Sequence, residues 1–421
     1  MHDFQYRHHE LYCEGVAVSD VIDAVGTPAY IYSAKTLRDH YRKLVRAFRA
    51  VKPLICFSVK ANGNLAVLRL LVREGAGLDV VSGGELFKAL RAGCPPQRIV
   101  FASVGKTAAE IAEALQAGIL SFNVESVPEL DTINVEAARL RTTARVAIRV
   151  NPDVEAHTHR HVTTGTSESK FGIDPETAEG VFRRRDAWPS VELTGLHVHI
   201  GSQITQARPF LTTLRKVRGL VERVRRAGAV VDSINLGGGL GIIYKEERPQ
   251  TADDFARAVL PELRRLRVRR VILEPGRFIA GNAGILVAQV LYVKTTPRRR
   301  FVVVDAGMND LMRPALYDAY HDIWPLAQPT ASNHREAVDV VGPVCESADC
   351  FAKQRLLPRL SSGHLIALLG AGAYGLTMAS NYNARTQPCE VLVMGRQFYV
   401  VRDREARADL IRHDHIPAVL R

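Results

Sequence analysis

Leu54-Ile55-Cys56-Phe57-Ser58-Val59-Lys60-Ala61-Asn62 is an apolar run that breaks off on a lysine and an asparagine. It is the first of eight such runs; the others cover 78–81, 99–102, 120–124, 145–150, 193–200, 233–236 and 271–273. Between them lie stretches with apolar residues at helical spacing, among them 64–73, 107–117, 210–226 and 252–266. Short strand-like runs alternating with helices through residues 28–280 predict an α/β architecture, either a closed (β/α)8 barrel or a doubly wound open sheet. The residues that follow each run decide between them. They are Lys60, Ser82-Gly83-Gly84, Gly105-Lys106, Glu125, Asn151, Gly201-Ser202, Gly237-Gly238-Gly239 and Glu274. Polar or small groups after every strand describe the C-terminal rim of a barrel, where its active site is built. An open sheet gathers such groups at one switch point.

Beyond residue 280 the texture changes. Runs at 285–293, 300–305, 338–341, 365–369, 391–393 and 398–401 have no long helical stretch between them. They predict a mostly antiparallel β domain, a barrel or sandwich. The expected division is a barrel over 28–280, with 1–27 and 281–421 forming the β domain.

Composition narrows the function classes. The chain has 421 residues and a formal net charge of +12. The excess sits in Arg183-Arg184-Arg185, Arg264-Arg265, Arg269-Arg270 and Arg298-Arg299-Arg300. No recognition motif accompanies these clusters, so they read as solvated faces rather than a nucleic-acid surface. The six cysteines are scattered with no CxxC pair, which fits a reducing cytoplasm and no zinc site. Residues 1–15 are polar and histidine-rich, unlike a signal peptide, and no run approaches the ~18 apolar residues of a membrane span.

Several motifs invite chemistry. Lys60 stands directly after a strand, where a lysine is either reaching for solvent or serving as a Schiff-base amine with a lowered pKa. His197 and His199 alternate on one strand and point to one face. They suit a metal only if further ligands stand at other strand ends, and none is clearly placed; one can instead stack on a planar ring while the other is a satisfied core group. Gly237-Gly238-Gly239 lets backbone amides approach an anion, although three glycines also make a plain turn. The spacing is not that of a dinucleotide site. Gly105-Lys106-Thr107 resembles the end of a P-loop, but Val100 stands where the first glycine is needed. Glu274-Pro275-Gly276-Arg277 ends the eighth run with a carboxylate able to hold a protonated pyridine nitrogen. In the β domain, Cys345-Glu346-Ser347-Ala348-Asp349 and Gly372-Ala373-Tyr374-Gly375 stand out more weakly.

Taken in order, these segments resemble the fold-type III pyridoxal-phosphate decarboxylases, with their alanine-racemase-like barrel, and among them the diaminopimelate decarboxylase family. The matching text is 57–62, 78–86, 122–126, Asn151-Pro152-Asp153, Lys170-Phe171-Gly172, 197–203, 237–239, 274–277, Cys345-Glu346-Ser347 and 372–383, so that almost the whole chain is covered. One departure is Ala102-Ser103-Val104, where the family more often has a glycine.

The resemblance implies pyridoxal 5'-phosphate as cofactor, no metal, and decarboxylation of meso-2,6-diaminopimelate to L-lysine and CO2, the last step of lysine biosynthesis. It implies that Lys60 carries the cofactor as a Schiff base and that His199 stacks on its ring. Ser202, Gly237, Gly238, Gly239, Glu274, Pro275, Gly276, Arg277 and Tyr374 would bind the cofactor. Arg277, Arg313, Tyr317, Glu346 and Tyr374 would bind substrate. Cys345 would protonate the carbanion, arriving from the partner subunit of a homodimer with shared active sites.

The substrate reading also has a physical side. The non-reacting end of diaminopimelate is a zwitterion, which takes cationic and anionic partners together. Ornithine lacks the distal carboxylate, so an ornithine enzyme has no use for Arg313, and a buried unpaired guanidinium is costly. An ornithine, arginine or carboxylated-polyamine decarboxylase is the alternative. A non-catalytic cofactor-binding relative and a metal-dependent barrel hydrolase are more distant rivals.

Overall fold

The computed structural model describes residues 2–154, 170–330 and 334–420. The chain forms two compact units, Leu37–Ile279 and a second made of Met1–Thr36 with Ala280–Arg421.

The first unit is a closed parallel barrel. Its strands are Leu54–Ser58, Gly77–Val80, Ile99–Phe101, Ser121–Val124, Ala144–Arg149, Val191–His197, Ser233–Asn235 and Arg270–Leu273, adjacent in chain order. The eighth lies beside the first, with Ile272 opposite Leu54. Phe57, Phe101 and Phe122 are fully buried, and the last two stack 6.2 Å apart. Cys56, Val100, Leu120 and Ile272 form one apolar cluster drawn from several strands.

Six of the barrel's helices start on a side-chain N-cap. Asn64 accepts from Ala66 N, Ser82 from Glu85 N, Ser126 from Glu129 N, Asp174 from Thr177 N and Thr251 from Asp254 N. Thr107 and Glu110 make a reciprocal capping box. These side chains satisfy amides that a helix start leaves orphaned, for about 1 kcal/mol each. The Ser82 group of the expected rim is therefore a helix start.

Lys106 of that rim is structural as well. Its side chain is buried, and Nζ reaches Glu129 Oε1 (2.5 Å), Asn123 O and Ser103 O (both 2.9 Å). Burial lowers the Lys106 pKa while Glu129 pulls it back up. Glu129 accepts from Glu125 N, and Glu125 holds Arg149 at 2.6 Å, so one chain of buried charges runs under this side of the mouth.

The arginine clusters find local carboxylates: Arg183 with Glu179, Arg265 with Glu262, Arg299 with Asp339 and Arg300 with Glu336.

The second unit is a mixed, mostly antiparallel sheet built around the long strand Gly284–Thr295. One half of that strand pairs with Ala29–Ser33 and Leu365–Leu368, the other with Arg300–Val304. Ala29–Ser33 also pairs in parallel with Cys389–Met394. The stretch from 28 to 36, assigned above to the barrel, thus carries a central strand of this sheet, and its alternating Tyr30 and Tyr32 are wholly buried there. Cys350–Pro358 and Ile323–Pro325 are further strands, and Phe4–Ala17 supplies a small three-stranded sheet.

Lys106→Met leaves Glu129 buried without its cation, which costs about 3 kcal/mol of stability. Urea unfolding measures it; an unchanged midpoint would show that the pair contributes nothing.

Candidate active site

Lys60 follows the first strand in a single 3-10 turn, Val59–Ala61, whose flanking residues are buried while its own side chain is 42% exposed. That contrast leaves an amine facing the mouth of an apolar barrel. Its Nζ lies 4.0 Å from Asp79 Oδ2 on the second strand. Asp79 is buried and accepts from Ser58 Oγ at 2.5 Å. Burial and the charge of Glu274 push the Asp79 pKa up to about 8, although Lys60 and Ser58 pull the other way.

Glu274, on the turn after the eighth strand, is 5% exposed. Asn123 Nδ2 and Asn235 Nδ2 donate to its Oε1 at 2.9 and 2.6 Å, and His197 Nε2 lies 3.2 Å from Oε2. Burial alone would favour the neutral acid. His197, Asn235 and the more distant His199 outweigh it and hold the carboxyl down to about 2. The result is a buried carboxylate, ionised at neutral pH, held by groups from three other strands.

His199 stands just beyond the sixth strand, and its Nδ1 accepts from Gly238 N at 3.1 Å. That bond places the ring proton on Nε2. Burial, with Lys60 and Arg149 nearby, keeps its pKa well below the usual imidazole value, so the ring is neutral.

Gly237 has φ +63°, and a Cβ there would lie 2.6 Å from Val198 O and 2.7 Å from His199 Nδ1. At Gly238 a Cβ would lie 2.2 Å from Glu274 O. The turn therefore needs glycine both for its conformation and for close approach to its neighbours. Arg277 joins the same rim: Nη2 donates to Ser202 Oγ (3.0 Å) and Nη1 to Tyr244 OH (2.8 Å). Pro275 O accepts from Ser58 N (3.3 Å) and Gly276 O from Ile279 N (3.1 Å), which fixes this turn to the first strand and to the helix that follows. Phe171 lies over the Arg149 guanidinium at 4.7 Å, and Gly172 N donates to Glu125 Oε2.

The remaining expected residues lie on the second unit. Cys345 and Glu346 are exposed on one loop, where Cys345 N donates to Asn383 Oδ1 and Tyr382 OH to Glu346 Oε1. Asp349 fastens that loop by accepting from Val344 N and Met308 N. Arg313 and Tyr317 bound the short helix Arg313–Tyr317, with Arg313 buried and Tyr317 half-buried. Tyr374 is half-buried with φ +56°, six residues after the strand Leu365–Leu368.

The structure brings Lys60, His199, Ser202, Gly237–Gly239 and Glu274–Arg277, all singled out in the sequence, to one barrel mouth. Sequence reasoning misses Asp79, Asn123, Asn235 and Tyr244, and it leaves His197 undecided. The signal was present for three of them. Asp79, Asn123 and Asn235 are each a lone amide or acid between two large apolar residues inside a strand.

The chain matches the pyridoxal binding domain of the pyridoxal-dependent decarboxylases over residues 34–281. It is 46% identical to the diaminopimelate decarboxylase of Pseudomonas aeruginosa and 44% identical to that of Haemophilus influenzae, covering 97% of this chain and 98% of each relative. The crystal structure of diaminopimelate decarboxylase from M. jannaschii in complex with L-lysine superposes with a TM-score of 0.94 at 38% identity, over 99% of both chains.

The split between the two carboxyls gives a pH signature in cofactor-free protein. Between about pH 4 and about 8, native Asp79 keeps a proton that the unfolded chain releases, so its contribution to stability falls as pH rises through that window. Glu274, held low, changes only at more acidic pH. Urea unfolding at several pH values should show wild type losing ground to Asp79→Asn from pH 5 to pH 8; a pH-independent difference would remove the protonated Asp79.

Proposed function

This chain belongs to the pyridoxal-dependent decarboxylase family, in its diaminopimelate decarboxylase branch, and from that premise we infer how its own residues divide the work. The enzyme is a carboxy-lyase that converts meso-2,6-diaminopimelate to L-lysine and CO2 with pyridoxal 5'-phosphate.

The observation that carries this reading is the ionised, buried Glu274. The cofactor fits the mouth on three counts. A buried, ionised carboxylate suits a protonated pyridine nitrogen. Asp79 Oδ1, Asn123 Oδ1 and His197 Nδ1 are buried without a hydrogen-bond partner, leaving polar capacity around it. The glycine turn has no room for a side chain and presents backbone to an anion. When bound, the cofactor supplies an electron sink for the pair left behind as CO2 departs.

Lys60 Nζ would hold the cofactor through its aldehyde. His199, neutral and fixed through Nδ1, supplies a flat face for the ring. Ser202, Gly237–Gly239 and the Pro275-Gly276-Arg277 turn serve the phosphate side, with the Ser202–Arg277 bond presetting two donors there. Glu274 would keep the pyridine nitrogen protonated. Tyr374 would bind cofactor and substrate.

The distal end of diaminopimelate is a zwitterion. Arg313, with Tyr317 and Arg277, takes its carboxylate, and Glu346 takes its ammonium. Cys345 Sγ delivers the proton to the α-carbon. A proton donor works best away from bulk water, yet Cys345 and Glu346 are exposed in the single chain. That supports a homodimer in which this loop completes the partner's barrel site. The six cysteines form no disulfide, which supports residence in a reducing cytoplasm. No described helix is long and apolar enough to cross a membrane.

Two experiments check the assignment. CO2 release from meso-diaminopimelate should far exceed release from ornithine, and Arg313→Ala should raise KM for diaminopimelate by about 100-fold while cofactor affinity holds. A preference for ornithine overturns the substrate, and equal loss of cofactor makes Arg313 structural. Lys60→Ala chains alone should show neither the visible cofactor band nor turnover, and Cys345→Ala chains should be slow with cofactor bound. Mixing the two should restore up to about a quarter of wild-type activity, since half of randomly paired dimers hold one intact composite site. Mixtures no better than their parents would exclude shared sites.

A further inference from the structure

The helix that bears Arg313 is followed by Asp318-Ala319-Tyr320-His321-Asp322, and His321 is fully buried. Both ring nitrogens are engaged. Nδ1 lies 2.7 Å from Leu369 O, and Nε2 lies 3.0 Å from Arg313 Nη1. A carbonyl oxygen can only accept and a guanidinium can only donate. The ring must therefore carry its proton on Nδ1 and a lone pair on Nε2, so the two partners fix both its tautomer and its neutrality.

The backbone around the ring is equally tied. Leu369 N donates to Asp322 O at 2.8 Å, and Arg355 Nη1 donates to His321 O at 3.0 Å. Arg355 in turn lies 3.9 Å over the Tyr320 ring. A ring clamped at both nitrogens, on a backbone clamped on both sides, fixes the direction of one Arg313 N–H.

The chemistry of the acceptor matters. A carboxylate in this place would orient the arginine and also offset its charge, in competition with an incoming carboxylate. An imidazole lone pair orients it and adds no negative charge. Leu369 also begins the segment Leu369-Gly370-Ala371-Gly372-Ala373-Tyr374, so the same ring ties the arginine to the chain that carries Tyr374.

We propose that His321 is the positioning residue that aims Arg313 at the distal carboxylate of the substrate. This rests on the reading that Arg313 binds that carboxylate, and the test separates the two. KM and kcat for meso-diaminopimelate, the visible cofactor band and thermal melting are measured on holoenzyme for His321→Leu, His321→Gln, Arg313→Ala and the double variant His321→Leu/Arg313→Ala. His321→Leu should raise KM about tenfold with kcat changed less than about threefold and the cofactor band intact. His321→Gln should recover most of the loss, because an amide can donate to Leu369 O and accept from Arg313 together. Adding His321→Leu to Arg313→Ala should change KM no further, since the imidazole acts only through the guanidinium. Additive effects, a glutamine no better than leucine, or parallel loss of kcat and cofactor overturns the inference. If His321→Leu does not fold, a His321→Gln enzyme whose KM matches that of Arg313→Ala overturns it. An unchanged KM in Arg313→Ala alone would instead remove the underlying reading, and the inference with it.

Discussion

A single buried charge sets the terms for the barrel. Glu274 is almost wholly out of water, where an isolated carboxylate costs several kcal/mol. It stays ionised because Asn123, His197 and Asn235 bring polar groups to its two oxygens. Those residues sit on the fourth, sixth and seventh strands, while Glu274 follows the eighth. The cage exists only if half the barrel closes in the right register. A slip of one residue in any of these strands turns its polar side chain to the opposite face and leaves both it and Glu274 unsatisfied. The closed topology is thus tied to the charge on which the proposed chemistry rests.

The second carboxyl at the mouth goes the other way. Asp79 shares the same dry surroundings and meets the charge of Glu274, and it retains its proton to about pH 8. Two like groups with opposed environments take opposed roles. The consequence falls on Lys60, 4.0 Å from Asp79. An ionised aspartate would hold that amine as ammonium, which is no nucleophile, and a protonated one relaxes the hold. Glu274 therefore acts on Lys60 indirectly, by helping to keep its neighbour neutral.

Most of this frame was legible in the sequence because it is local. The eight strands are short apolar runs, and their ends are marked by residues too polar or too small for a core. Glu274 was visible because Pro-Gly follows it at a strand end. What was not legible is what depends on neighbours distant in sequence. Asn123, Asn235 and Asp79 each read as an interruption of an apolar run, and only the side-by-side order of the strands turns three interruptions into one cage. Ala29–Ser33 precedes the barrel directly and was assigned to it, yet its hydrogen bonds go to residues more than 250 positions away. Lys106 occupies the same kind of position as Lys60. The difference is that Glu129 stands within reach of one and pins it, while the other faces a carboxyl that keeps its proton.

The same distinction separates the arginines. Arg149 is held by Glu125 at 2.6 Å, and its charge is matched within the fold. Arg277 is aimed by the hydroxyls of Tyr244 and Ser202, and Arg313 by an imidazole lone pair. Sequence assigns these three residues the same charge and the same donors. A guanidinium bonded to a carboxylate has its charge met before any ligand arrives, whereas hydroxyl and imidazole partners set direction without adding negative charge. No count of basic residues could supply that difference between partners.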